Sequence, residues 1–234
     1  MSVVSGVAVC NSDTLNTNVL SKLDPIRLCR HDERKGLPFR QIFPKLSRGY
    51  ASVMPQVSFN TPFYFFTSVT HHRLPIFCTD KMKDVLCRAF DEARVSSGML
   101  FFAYVVMPDH FHFITDSKRS PSDSLRYLNG VTARRVIDYL KDNNYSSSLD
   151  KLRQEKKKDG YQYSVWEHHS DKFLLTSESL LMQKINYINQ NPVADGLVEI
   201  AEDYRYSSAR IWRGAPLEDE PLAMNIDQIK WRTG

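Results

Sequence analysis

One stretch limits the possible folds more than any other. Met99 to Val106 is an unbroken run of apolar and aromatic residues, Met107-Pro108-Asp109 comes next, and His110 to Thr115 alternates polar and apolar residues. Two runs rich in aromatic and β-branched residues, separated by a short Pro-Asp turn, predict a β-hairpin. A hairpin pairs its strands antiparallel, whereas a parallel pair needs a crossover of a dozen residues or more. Residues 99–115 therefore commit the chain to an antiparallel sheet.

The flanking segments supply the rest of that sheet and its cover. Phe63 to Thr70 is dense in aromatic and β-branched residues and reads as a strand. Thr79 or Asp80 caps a helix that runs to about Ser97, with Met82, Val85, Leu86, Ala89, Phe90 and Ala93 on its apolar stripe. Ser122 opens a second helix, to about Leu140. Residues 141–163 are polar and lysine-rich and read as a long connection, partly helical. Tyr163 to Trp166 and Lys172 to Leu175 are short strand candidates. A last helix starts at Thr176-Ser177-Glu178-Ser179 and runs to about Gln190, where Asn191-Pro192 is expected to stop it. Strands and helices interleave with a hairpin and without a glycine-rich βα turn. The expected fold class is α+β, a small antiparallel β-sheet packed with α-helices, rather than a doubly wound nucleotide fold.

These signals fill residues 57–212, which read as one domain. Residues 1–56 show no sustained periodicity and read as a poorly structured N-terminal extension. Met54 sits just before the first strand, so residues 1–53 are expected to be a dispensable leader. Residues 213–234 read as a C-terminal tail. The 42% hydrophobic and 25% charged content of the 234 residues suits one buried core. A net charge of +4 permits a nucleic-acid partner without requiring one. Cys10, Cys29, Cys78 and Cys87 form no CxxC pair and read as reduced thiols of a cytoplasmic protein. No apolar run approaches the roughly 18 residues of a membrane span, so no membrane partner is expected.

Two motifs carry chemistry. In a strand, residues two apart share a face, so His110 and His112 present two imidazoles side by side while Phe111 and Phe113 enter the core. Two neutral imidazoles suit a divalent ion and leave much of its coordination shell open. The plainer reading is a surface strand that carries two histidines. Tyr187 and Asn191 lie four apart near a helix end and share a helix face. The phenol is then a candidate nucleophile and the amide oxygen a candidate third ligand. The plainer reading makes Tyr187 a packing residue and Asn191 a helix C-cap.

Together, and in this order, the motifs resemble the single-tyrosine transposases with a His-hydrophobe-His (HUH) motif, most closely the REP-associated tyrosine transposases. The resemblance rests on Phe65 to Thr70, Val106 to His112, Trp166, Tyr187 to Val193, Gly196-Leu197-Val198 and Tyr204 to Ala209, and spans about residues 57–212. It implies a ferredoxin- or RRM-like sandwich whose sheet bears His110 and His112 and whose helix bears Tyr187. It also implies Mg²⁺ or Mn²⁺ as cofactor on His110, His112 and Asn191. The implied substrate is single-stranded DNA beside a hairpin, cut through a 5′-phosphotyrosine by a monomer or homodimer in the bacterial cytoplasm. Where the wider insertion-sequence relatives carry glutamine four residues after the tyrosine, this chain carries Asn191.

Candidate phosphate contacts are Arg134 and Arg135 on the second helix, Lys156, Lys157 and Lys158 in the connection, and Arg205 and Arg210 after the tyrosine helix. Tyr161, Tyr163, Trp166 and Tyr204 are candidate base-stacking residues, with core packing the preferred reading for Trp166. His168 and His169 are adjacent and face opposite ways on a strand, so they do not form a metal pair. Two other functions compete. One is a hairpin-DNA binding protein without catalysis; the other is a metal-dependent nuclease in which water attacks.

Overall fold

A computed structural model describes residues 62–116, 119–158, 161–168 and 170–229. Along the chain run β1 (Phe63–Val69), α1 (Asp80–Ser97), β2 (Phe101–Val106), β3 (His110–Asp116), α2 (Pro121–Asp142) and α3 (Ser146–Leu152). After them come β4 (Arg153–Lys158), β5 (Tyr161–Tyr163), β6 (Asp171–Leu175), α4 (Glu178–Ala194) and α5 (Ala209–Trp212). The expected hairpin is β2–β3. It forms half of a four-stranded sheet of order β2-β3-β1-β6, antiparallel at every pairing. The fold class is α+β, as the sequence predicts.

Register decides which side chains share a face. Thr67 lies opposite His112 and Val69 opposite His110. With side chains alternating along each strand, Phe65, Thr67, His110 and His112 face one side, and Phe66, Ser68, Phe111 and Phe113 the other. The second side carries the aromatic core under α1 and α2. The Phe90 ring of α1 meets Phe111 and Phe113 at centroid distances of 5.0 and 4.9 Å. Ser68 donates to the Asn129 side chain of α2 at 2.9 Å. On the first side, α4 brings the Tyr187 ring to 6.1 Å from Phe65. The histidine face and the α1–α2 face are thus opposite surfaces of one sheet.

Local chemistry fixes the helix ends. The Thr79 hydroxyl accepts from the Met82 amide and Ser177 from Leu180, N-caps at the expected starts, whereas α2 is capped by Ser120, which accepts from Asp123, rather than opened by Ser122. Gly98 ends α1 with φ of 68°, a left-handed position that glycine adopts without strain. Beyond β2, Val106 donates to Tyr206 and Ser208 to Tyr104, so residues 204–208 cover that edge of the sheet.

Five expectations need correction. Helix α4 does not stop at Asn191-Pro192 but continues to Ala194 with Pro192 inside it. Proline disfavours helical geometry in its predecessor without barring it; Pro192 forfeits the bond its N–H would give the Ile188 carbonyl, while Asp195 donates to Asn191 and Leu197 to Pro192. The lysine-rich connection holds, besides its expected helical part α3, the strand β4, which pairs with β5 in a separate two-stranded sheet. Trp166 lies after β5 rather than within a strand and makes one isolated bridge to Thr70. The segment after Trp212 folds back: Leu222 and Ile229 are buried, and the Asn225 amide donates to the Phe101 carbonyl at 2.6 Å. Cys78 is disulfide-bonded, against the expectation of four reduced thiols, while Cys87 is buried and free. The first 61 residues, with their expected leader, lie outside the described residues. Among the described residues no helix is long and apolar enough to cross a membrane.

Candidate active site

The site begins at the β2–β3 turn. Met107 donates to the His110 carbonyl, Phe77 to Pro108, and Thr70 to Asp109 through both its amide and its hydroxyl. The turn is thereby pinned from two sides, and the start of β3 is fixed with it. Asp109 then reaches the neighbouring ring: its Oδ1 lies 2.6 Å from His110 Nδ1, and Arg73 donates to its Oδ2 at 3.0 Å. Burial works against ionisation of Asp109. The hydrogen bond and charge of His110, with those of Arg73, outweigh it and hold the carboxyl below its usual range.

His112 is held in the same manner by a different group. Its Nδ1 lies 2.8 Å from the Thr67 hydroxyl, and its ring stacks on Phe65. Burial, then the charges of His110 and Lys184, pushes its pKa well below that of an ordinary histidine, so the ring is neutral. Both imidazoles thus have Nδ1 engaged by a neighbouring oxygen. Such a partner fixes the ring and its tautomer and presents the lone pair of Nε2, the arrangement found around metal-bound histidines. The two ring centroids are 4.9 Å apart.

Helix α4 brings the tyrosine to this pair. Tyr187 Oη lies 3.4 Å from His112 Nε2, with ring centroids 5.2 Å apart. The hydroxyl donates if His112 carries its proton on Nδ1, the tautomer that also satisfies Thr67. Burial raises the pKa of Tyr187, and a hydrogen bond from the Asn191 side chain, one helical turn away, pulls it back. Asn191 is buried and is no C-cap, because the helix runs past it. Two imidazole nitrogens and an amide oxygen are donors that suit a hard or borderline divalent ion.

Sequence reasoning missed three contributors. Thr67 and Asp109 orient the histidines, and Lys184 stands beside them. Lys184 Nζ is 4.8 Å from the Phe65 ring centroid and 5.4 Å from that of Tyr187. Burial lowers its pKa. A lysine three residues before the candidate nucleophile shares its helix face, and that spacing was the available signal.

The proposed phosphate contacts fare differently. Arg134 and Arg135 lie on α2, over the face opposite the histidines. Arg135 is held by both Glu92 oxygens at 2.7 Å, whereas exposed Arg134 shares a surface groove with Arg119, Arg126 and Tyr127. Arg205 pairs with Asp219 at 2.7 Å. Arg210 is buried, bonded twice to Glu220 at 2.8 Å and also to the carbonyls of Glu202 and Arg205, so its guanidinium serves the fold. Lys156, Lys157 and Lys158 lie on β4, and their side chains fall outside the described residues. Trp166 is buried and donates to Thr132, the expected core role, and the buried Tyr204 donates to the Val106 carbonyl. Tyr163 sits under the cations of Lys141 and Arg153.

Known proteins match this chain at three levels. The family model described as IS200-like transposase matches residues 60–171, which include β1, both histidines and the start of β6. A Haemophilus influenzae protein named as a REP-associated tyrosine transposase is 27% identical over 149 residues, 62% of this chain and 78% of that one. A solved REP-associated tyrosine transposase bound to a REP hairpin is similar at 16% identity and a TM-score of 0.47, over 80% of this chain and 99% of that one. A transposase structure from Deinococcus radiodurans R1 is similar at 22% identity and a TM-score of 0.38, over 63% of this chain and 97% of that one. Residues 60–171 thus match the IS200-like transposase family, and the chain is similar to the REP-associated tyrosine transposases.

Proposed function

We propose that the protein cleaves and rejoins single-stranded DNA beside a hairpin, with Tyr187 as nucleophile and His110, His112 and Asn191 as ligands of Mg²⁺ or Mn²⁺. One observation carries this reading: the phenol of Tyr187 lies 3.4 Å from Nε2 of His112, a ring already oriented by Thr67. A buried phenol usually finds a hydrogen-bond partner, and here the partner is the imidazole nitrogen that would hold the ion. The Haemophilus influenzae relative, which carries the name of a REP-associated tyrosine transposase, supports the same chemistry.

The chemistry follows from the groups present. A phosphodiester repels anionic nucleophiles and has a poor leaving group; a divalent ion, when bound, acts as a Lewis acid on the scissile phosphate and a template for its geometry. Tyr187 Oη attacks phosphorus and loses its proton, the bond from phosphorus to the 3′-oxygen breaks, and that oxygen takes up a proton. The products are a 5′-phosphotyrosine and a free 3′-hydroxyl. The Asn191 hydrogen bond favours the phenolate against the opposing effect of burial. Lys184 supplies a nearby positive charge for the phosphoryl oxygens as negative charge builds there. The phosphotyrosine keeps the energy of the broken bond, so a second 3′-hydroxyl can reverse the step on another strand without ATP.

The test is incubation of end-labelled hairpin DNA with single-stranded flanks, with Mg²⁺ or Mn²⁺, and separation on denaturing gels. Wild type is expected to shift the label to protein mass. Tyr187→Phe and His110→Ala/His112→Ala are expected to leave the DNA intact. Cleavage that persists in Tyr187→Phe would assign attack to water, and hairpin binding without cleavage in wild type would leave a binding protein.

A further inference from the structure

We infer that His71, His72 and Glu167 form a second metal site that takes a zinc-class transition ion and fastens the end of β1 to the segment after β5. The inference is independent of the tyrosine chemistry. One ligand atom from each residue lies within 4.8 Å of the others, and His71 Nδ1 is 3.7 Å from Glu167 Oε1. The two imidazole centroids are 3.8 Å apart. Ligand atoms of a tetrahedral zinc ion at bond lengths of about 2.0–2.1 Å sit about 3.3 Å apart. Small rotations of the exposed His72 and of the Glu167 carboxylate close that difference.

The backbone around the group is already fixed. His71 donates its amide to Val165 and Glu167 donates to Val69, each at 2.8 Å, with Thr70 and Trp166 bridged between them. Two segments nearly a hundred residues apart are thereby locked with their side chains converging. Two of the three donors, Glu167 and His71, also have a supporting partner. The His72 amide donates to Glu167 Oε1 at 2.6 Å. The Gln154 side-chain amide lies 3.3 Å from His71 Nε2. Amide nitrogen and oxygen are interchangeable by rotation, so the Gln154 oxygen can accept from Nε2–H and leave the Nδ1 lone pair facing Glu167.

Strain marks the same place. His72 and the adjacent Arg73 both have φ of 52°, two consecutive left-handed residues without glycine. Backbone strain of this type is retained where the surroundings over-determine it, commonly at functional sites. Here it turns His72 back beside His71. Two imidazoles and one carboxylate favour Zn²⁺, Co²⁺ or Ni²⁺ over Mg²⁺, and one position is left for water. The site stands beyond the β1–β3 ladder, and Arg73 links it to Asp109 and hence to His110.

Zinc binding to chelator-stripped full-length protein tests the inference, read by equilibrium dialysis with Co²⁺ absorption as a second signal. Wild type is expected to bind two equivalents and His110→Ala/His112→Ala one. Adding His72→Ala or Glu167→Gln to that double variant is expected to weaken the remaining equivalent at least tenfold, and to abolish any zinc-dependent rise in Tm. Circular dichroism confirms that each variant is folded. No zinc bound to His110→Ala/His112→Ala, or an equivalent unmoved by either added substitution, overturns the site. The gel assay with Tyr187→Phe is read separately, so failure of one reading leaves the other standing.

Discussion

At the scale of residues, the site is built from side chains whose partners fix one atom and expose another. Asp109 and Thr67 each occupy an Nδ1, and Nε2 is what remains. The pair of histidines was legible because strand alternation acts between neighbours. Their orienting groups were less so: Asp109 is adjacent in sequence, but Thr67 meets His112 only through the β1–β3 register. Lys184 tests the electrostatic part of the proposal. Lys184→Met should slow single-turnover cleavage about 100–1000-fold, the scale of losing one charge-stabilising group, with little change in hairpin affinity. Lys184→Arg should recover much of the rate. A rate unchanged in Lys184→Met would remove this residue from the chemistry.

At the scale of elements, α4 carries the proposed nucleophile, and its position depends on the chain segment C-terminal to it. Asn189 accepts from Ser208, and residues 204–208 are bonded along β2. Arg210 holds this segment to Glu220 with both side chains about nine-tenths buried. Breaking a buried ion pair leaves its partner charged without compensation. Arg210→Met should therefore cost about 3–5 kcal/mol in urea unfolding. Arg210→Met/Glu220→Leu should recover most of the loss, whereas a DNA-contacting arginine would lose affinity and keep its stability. The sequence marks Arg210 only as a cation close to the motif. Its role depends on Glu220, and charge pairing across a loop leaves no periodic trace.

At the scale of the whole molecule, the sheet separates two surfaces: His110, His112 and Tyr187 on one, and the groove with Arg119, Arg126 and Arg134 on the other. If the groove holds the hairpin stem, Arg134→Ala should lower affinity equally for different stem sequences and reduce the salt slope of binding by about one. Cleavage of saturating DNA should remain unchanged. An unaltered salt slope would place the stem elsewhere. The sequence by itself determined the hairpin, the caps of α1 and α4, the strand position of His110 and His112, and the shared helix face of Tyr187 and Asn191. Each arises from periods of two or 3.6 residues acting over a few neighbours. Only the tertiary structure decided that α4 lies over the histidine face, that α2 takes Arg134 to the opposite side, and that His71 meets Glu167. Those contacts join residues tens of positions apart, and they are set by sheet register and by which apolar faces pack together.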